Sequence, residues 1–172
     1  MAKLSIVIPA YNEEKRIGAT LERDLKYLKS KKYDFEVIVV NDGSNDKTAG
    51  VVKKFKGVKL INYDNNQGKG YAVKTGVLNS TGDYVLFCDA DLSTSIEEID
   101  KLMKLINEYD VVIASRAVMD SKVSTKRHRK FLGRVFAFFV NMLIVPGISD
   151  TQCGFKLFKK KAARNIFSRQ RI

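Results

Sequence analysis

The chain has 172 residues, with 31 Lys and Arg against 19 Asp and Glu, and a formal net charge of +12. Hydrophobic residues make up 45% and charged residues 29%, which excludes a disordered chain, and two cysteines exclude a disulfide framework. The charge is uneven: residues 1–115 hold 17 basic and 17 acidic side chains, whereas residues 116–172 hold 14 basic and 2 acidic ones, Asp120 and Asp150, so a uniformly basic surface is excluded and the last third calls for an anionic partner.

In chain order, residues 4–9 (LSIVIP) are an apolar run rich in β-branched side chains and ended by Pro9, which predicts a strand. Tyr11-Asn-Glu-Glu opens a predicted helix to about Lys29, with Ile17, Leu21, Leu25 and Leu28 at helical spacing. Residues 35–40 (FEVIVV) predict a second strand, Asn41-Asp-Gly-Ser a turn, residues 46–55 a helix and residues 58–62 a third strand. Gly68-Lys-Gly-Tyr leads into a helix to about Asn79. Residues 84–88 (YVLFC) predict a fourth strand closed by Asp89-Ala-Asp91, followed by a helix over 96–107 and a strand over 110–114. Apolar strands alternating with amphipathic helices imply an α/β fold with a mainly parallel, Rossmann-like sheet and helices on both faces. Such sheets bind ligands at the carboxyl ends of their strands. No internal repeat or low-complexity linker interrupts residues 1–172, so one domain is expected. The N-terminus runs straight into a strand without a signal peptide, which predicts a cytoplasmic location. The longest apolar run, residues 135–146, contains Asn141 and falls short of the roughly 20 residues that span a bilayer.

The strand ends of interest are Pro9-Ala-Tyr-Asn-Glu after the first strand, Asn41-Asp-Gly-Ser after the second and Asp89-Ala-Asp after the fourth. Asp89 and Asp91 place two carboxylates together; a Mg2+ or Mn2+ ion can bridge such a pair to phosphate oxygens, and a solvated Asp-Ala-Asp turn is the alternative. The end of an apolar strand favours the metal. Asp42 can hydrogen-bond a ribose or base, or serve a turn or helix cap. In Asn66-Gln-Gly-Lys-Gly, backbone N–H groups and Lys69 can reach a phosphate, or the segment is a structural loop; it is no Walker motif.

Pro9-Ala-Tyr-Asn-Glu, Asn41-Asp-Gly-Ser-Asn-Asp-Lys-Thr, Asn66-Gln-Gly-Lys-Gly, Asp89-Ala-Asp-Leu and Ser115-Arg116 succeed one another in the order and spacing of the family 2 glycosyltransferases, which the chain resembles over nearly its whole length. The resemblance implies the GT-A fold. Gly147-Ile-Ser-Asp-Thr-Gln-Cys-Gly-Phe-Lys-Leu-Phe is similar to the polyprenyl-phosphate hexose synthases. The mannose branch reads D-A-D-L-Q-H-P where this chain has Asp89-Ala-Asp-Leu-Ser-Thr-Ser, so the glucose branch, the dolichyl-phosphate glucose synthases, is the better match. The resemblance implies that Pro9, Ala10, Tyr11, Glu13, Val40, Asp42 and Lys69 hold the donor nucleotide, that Asp89 and Ala90 lie against ribose and diphosphate, and that Asp91, with Asp89, binds the metal. It implies that Arg116 reaches the diphosphate or the acceptor phosphate. Residues 1–115 would then be the sugar-nucleotide half and residues 116–172 the acceptor half, cut short relative to the family.

Residues 124–145 carry a helical pattern with Arg127, Lys130, Arg134, Ala137 and Asn141 on one face and Leu132, Phe136, Phe139 and Leu143 on the other. Such a helix either lies in a membrane interface or packs on a core with its basic face solvated. The excess of Phe, the concentrated charge and the resemblance favour the interface, hence peripheral association with the cytoplasmic face of an anionic membrane. A dolichyl or other polyprenyl phosphate supplies the anionic partner. Arg127, Arg129 or Lys130 would hold its head group beside Arg116, and the resemblance singles out Arg129. Asp150 orients such an arginine, assists proton removal, or caps a helix. His128 belongs to the cationic face, and Cys88 packs in its strand.

The expected reaction is a single in-line displacement with inversion, moving a hexose, by preference glucose from UDP-glucose, onto the lipid phosphate. GDP-mannose is the alternative donor. A pI of 9.7 also invites a nucleic-acid binder, but no readout motif is present, and no nucleic-acid partner is expected.

Overall fold

The short β-branched runs form strands and the segments with three- and four-residue apolar spacing form helices, as their periodicities require. The computed structural model describes residues 2–91, 93–114 and 153–171. In chain order these form β1 (Lys3–Ala10), α1 (Ile17–Ser30), β2 (Asp34–Asn41), α2 (Thr48–Val52), β3 (Val58–Asn62), α3 (Lys69–Leu78), β4 (Tyr84–Cys88), a 3-10 turn (Ile96–Glu98), α4 (Ile99–Leu105), β5 (Val111–Ile113), β6 (Phe155–Lys159) and α5 (Lys160–Arg169). The chain divides into two compact units, residues 1–112 with 154–172, and residues 113–153. The first holds nearly all of the described residues.

The strands form one sheet in the order β3-β2-β1-β4-β6-β5. β1 runs parallel to β2 and to β4, and β2 parallel to β3, so the carboxyl ends of these four strands share one edge. β6 is antiparallel to β4, pairing Cys88 with Phe155 and Tyr84 with Lys159. β6 and α5 are additional to the expected elements, and they come from the basic last third. Their residues complete the core: Phe158 and Ala163 pack with Val7, Val73, Val77, Val85 and Phe87, and Phe158 meets the half-buried Phe167 edge-on at 5.6 Å. On β1, Leu4, Ile6 and Ile8 are fully buried on the other face from Val7, so both faces of the strand are covered, as an internal parallel strand demands. Each such side chain contributes about 1.5–3 kcal/mol on burial.

Three helices differ from expectation; the one expected over 96–107 opens with the 3-10 turn and is an α-helix only over Ile99–Leu105. α1 begins at Ile17 and not at Tyr11, because Asn12 has a left-handed φ of 55° and the amides of Glu13 and Glu14 donate to Thr48 Oγ1 (2.8 Å) and Asp46 Oδ2 (3.0 Å) instead of entering a helix. α2 is a five-residue helix, with Gly50 at its centre weakening its propensity. α1 is tied to α4 through Asp100, which accepts hydrogen bonds from Tyr27 Oη (2.8 Å), Tyr33 Oη (2.9 Å) and Lys31 Nζ (2.9 Å).

Candidate functional site

Parallel register brings the ends of β1, β2 and β4 to one edge, and a cavity of about 390 Å3 opens there. Pro9 and Ala10 reach it from β1 and Tyr11 and Glu13 from the following turn. Asp42 comes from the end of β2, and Asp89, Ala90 and Asp91 from the end of β4. Asn66, Gly68, Lys69 and Ala72 close it from the loop before α3 and the first turn of that helix. The volume suits a small polar ligand.

Each loop is held by hydrogen bonds that account for its sequence. Asn41 Nδ2 donates to Asn62 Oδ1 at 2.6 Å, and Ser44 Oγ donates to Asn41 Oδ1. Asn12 stitches the first loop to the second, its amide donating to Ser44 Oγ (2.9 Å) and its Oδ1 accepting from the Asn45 amide (2.9 Å). Asp42 is buried; its Oδ1 accepts from the Gln67 amide at 2.8 Å and its carbonyl from Asn66 Nδ2 at 3.0 Å. Gly43 has φ 68°, and a Cβ there would sit 2.4 Å from the Asn66 nitrogen, so only glycine fits between the two loops. Asp42 therefore braces the two loops and also lines the cavity.

The Asp89-Ala90-Asp91 turn is fixed from three sides. Thr20 Oγ1 in α1 donates to the Ala90 carbonyl at 2.7 Å. The Asp89 amide donates to the Gly154 carbonyl at 3.1 Å, and the Ser93 amide donates to Asp91 Oδ1 at 3.0 Å. Lys69 Nζ lies 2.7 Å from Asp89 Oδ1 and over the Phe87 ring, 5.6 Å from its centroid. Arg16 pairs with Glu13 through two 2.6 Å contacts; the hydrogen bond from Arg16 to Glu13 holds the guanidinium above its ordinary pKa, and the charge of Asp91 adds to that. Beneath the turn, Cys88 is fully enclosed. Burial pushes its thiol well above the ordinary value, with Asp24 and Asp89 adding, so it is a packing residue and not a nucleophile.

The site thus gathers Pro9, Ala10, Tyr11, Glu13, Asp42, Lys69, Asp89, Ala90 and Asp91, nine of the residues expected from the sequence. Val40 is not among the residues lining the cavity: its side chain is fully buried and packs with Ile38 and Ala72. Asn66, Gly68 and Ala72 line the cavity beyond those expected, and Arg16 adjoins it through its pairing with Glu13. The first two lie in the Asn66-Gln-Gly-Lys-Gly motif; Ala72 and Arg16 carry no sequence signal of their own. Arg116, Arg127, Arg129, Lys130 and Asp150 lie outside the described residues, as does the predicted helix over 124–145.

The donor set is chemically consistent with a hard divalent cation. Asp89 and Asp91 offer only oxygen, and no cluster of three or more His, Cys, Asp or Glu side chains that could hold a metal occurs among the described residues. A cation here would take the rest of its ligands from phosphate and water, which is how Mg2+ is usually held.

Residues 5–167 match the family described as glycosyl transferase family 2. The chain belongs to this family. Among curated relatives, it is 41% identical over 185 residues to a dolichyl-phosphate beta-glucosyltransferase of Trichomonas vaginalis, covering 98% of this chain and 55% of that protein. It is 38% identical over 186 residues to the dolichyl-phosphate beta-glucosyltransferase of Homo sapiens, covering 96% of this chain and 57% of that protein. The chain therefore spans about half the length of the curated relatives it matches. Among solved structures, it is similar to mannosyl-3-phosphoglycerate synthase from Rubrobacter xylanophilus, with TM-score 0.71 and 20% identity over 93% of this chain and 54% of that one. It is also similar to glucosyl-3-phosphoglycerate synthase from Mycobacterium tuberculosis in complex with Mn2+, UDP-glucose and phosphoglyceric acid, with TM-score 0.70 and 19% identity over 93% of this chain and 57% of that one. These likenesses bear out the GT-A fold of this glycosyl transferase family 2 chain.

Proposed function

We propose that this chain carries the donor site of an inverting glycosyltransferase that moves glucose from UDP-glucose to dolichyl phosphate or a related polyprenyl phosphate. The observation that carries the reading is the pair Asp89 and Asp91 at the end of β4, on one cavity with Asp42, Glu13 and Lys69. The names of the curated relatives support glucose and dolichyl phosphate, and the Mn2+ and UDP-glucose bound by the Mycobacterium tuberculosis enzyme support a cation-assisted sugar nucleotide.

Pro9, Ala10, Tyr11, Glu13 and Asp42 bind the nucleoside end of the donor, where Asp42 has been braced in advance by the Gln67 amide. Lys69 lies at the carboxylates' edge of the cavity and contacts the diphosphate. Asp89 and Asp91 would hold Mg2+ or Mn2+, whose charge offsets the charge that develops on the departing diphosphate. An oxygen of the acceptor phosphate attacks the anomeric carbon as the bond from that carbon to the UDP oxygen breaks. UDP leaves with the electron pair, and the sugar phosphate is β-linked. The attacking oxygen is already anionic, so alignment and charge stabilisation matter more than a strong base.

On the acceptor side we assign Arg116, Arg129 and, beside them, Arg127 and Lys130 to the lipid phosphate, with Asp150 orienting one of these arginines. The concentration of charge in residues 116–172 supports a cytoplasmic protein held against an anionic membrane. No helix among the described residues is long and apolar enough to cross a membrane.

The test is transfer from radiolabelled UDP-glucose, UDP-N-acetylglucosamine and GDP-mannose to dolichyl phosphate, with and without Mn2+, alongside calorimetric donor binding by the same chain. Metal-dependent preference for UDP-glucose is expected in both. Exclusive use of GDP-mannose overturns the donor, and equal donor binding with and without cation overturns the role of the carboxylates.

A further inference from the structure

Gly154 belongs to the Asp-Thr-Gln-Cys-Gly-Phe segment, to which the proposed chemistry assigns nothing beyond Asp150. It enters β6, whose Phe155 pairs with Cys88, and the pairing runs one step further through the hydrogen bond from the Asp89 amide to the Gly154 carbonyl. A facing pair in an antiparallel ladder ordinarily places its two side chains next to each other. Here one is absent and the other fills its space: an ideal Cβ on Gly154 would lie 1.8 Å from Asp89 Oδ2, 2.3 Å from its Cγ and 2.7 Å from its Oδ1.

A left-handed φ does not explain this glycine: the glycines with left-handed φ among the described residues are Gly43, Gly57 and Gly68, and Gly154 is not one of them. What it lacks is room. The Asp89 carboxylate is held between two neighbours, the Lys69 ammonium at 2.7 Å on Oδ1 and the bare Cα of Gly154 on the other side. Turning χ2 moves the carboxylate oxygens but leaves Cγ 2.3 Å from the added methyl group, so relief needs a change in χ1 or in the backbone, and either moves the carboxylate from its present place.

We infer that Gly154 is a positioning residue for Asp89: the missing side chain sets the direction in which the β4-end carboxylate points, and so couples the β6 segment to the donor site. The consequence for ligand binding rests on the proposed role of Asp89 with cation and diphosphate. The effect on the carboxylate itself does not.

The experiment compares Gly154→Ala, Asp89→Ala and the double variant in the full chain. The Asp89 side-chain 13Cγ resonance, recorded without nucleotide, is expected to move in Gly154→Ala. Affinity for UDP with Mn2+ is expected to fall about ten- to hundredfold, the range seen when support of a metal ligand is lost. In the Asp89→Ala background, Gly154→Ala should cause no further loss, because nothing is left to displace. An unmoved resonance overturns the inference whatever the nucleotide does. A moved resonance with UDP affinity unchanged in both single variants supports the positioning but removes Asp89 from the donor site. If Gly154→Ala fails to fold, the double variant must refold, since the clash is with the Asp89 carboxylate; a double variant that also stays unfolded overturns the inference.

Discussion

The ammonium of Lys69 and the carboxylate of Asp89 form an ion pair of 2.7 Å across the mouth of the cavity, joining the first turn of α3 to the end of β4. Lys69 is largely exposed, so the pair contributes at most about 1 kcal/mol to stability. Its placement gives it two opposed effects on ligands. It competes with a cation for Asp89, and it offers a charge-assisted hydrogen bond to a diphosphate. Lys69→Met is expected to leave the melting temperature nearly unchanged, to raise affinity for Mn2+ alone, and to lower affinity for UDP in the presence of Mn2+ by about tenfold or more. Calorimetric titration with each ligand separately resolves the two signs. Parallel changes of the two affinities contradict this double role.

Thr20 holds the Asp89-Ala90-Asp91 turn from α1 through its 2.7 Å hydrogen bond to the Ala90 carbonyl, and both residues are buried. Thr20→Val keeps the shape and removes the donor, leaving a buried carbonyl short of a partner. The expected cost is about 1–3 kcal/mol of folding stability in a denaturant titration. UDP affinity with Mn2+ should fall as well, because the turn that carries both carboxylates loses a restraint.

Like Glu36 and Asp46, whose carboxyls also titrate below the ordinary value, Asp100 contributes to the acid limb of stability. Burial pushes its carboxyl up, but hydrogen bonds from Lys31, Tyr27 and Tyr33 outweigh burial, and it titrates below the ordinary carboxylate value. A carboxyl with a lowered folded-state pKa stabilises above its unfolded value of about 3.9 and loses that stabilisation as pH falls through the folded value. Asp100→Asn is expected to lower stability at neutral pH and to flatten its fall in acid. On the alkaline side, burial and the hydrogen bond to Asp100 push the Tyr33 phenol up to about 12. The unfolded chain then ionises first, so stability conferred by neutral Tyr33 is present below about pH 10 and is lost as pH rises towards the folded value. Ultraviolet titration of the wild type against Tyr33→Phe isolates this phenol; ionisation at the ordinary tyrosine value contradicts the burial described.

The strands and the cavity are readable in the sequence for one reason: buried parallel strands leave uninterrupted apolar runs, and the residues just after each run form the binding edge. Thus β3 and β4 begin and end at the expected residues, and the loops carrying Pro9, Asp42 and Asp89 meet as expected. β6 escapes a sequence reading because Phe155-Lys-Leu-Phe-Lys is short, basic and far along the chain from its partner β4, and long-range antiparallel insertion leaves no local periodic signal. A helix start at Tyr11 fails on the left-handed Asn12, whose side chain and amide serve the neighbouring loop. Val40 is expected at the donor from the family resemblance, but β2 is an internal strand buried on both faces, and the Val40 side chain packs against Ile38 and Ala72. The partner of Lys69 is illegible for a different reason. Nothing in Asn66-Gln-Gly-Lys-Gly names Asp89, and only the crossing of two loops brings them to 2.7 Å. Likewise much of Asn41-Asp-Gly-Ser-Asn-Asp-Lys-Thr serves the architecture of the loops, through Asn41, Ser44, Asp46 and Thr48.

Whether the carboxylates at the end of β4 hold a cation against a sugar nucleotide is decided most sharply at Asp91. It is exposed at the cavity, and the Ser93 amide hydrogen bond to its Oδ1 is the local contact a substitution would remove at the turn. Calorimetric titration of UDP-glucose into Asp91→Ala, with Mn2+ and with chelator, should show a fold intact by circular dichroism and the cation-dependent part of the affinity gone. Cation-dependent affinity equal to that of the wild type would contradict a metal-binding role for this carboxylate pair.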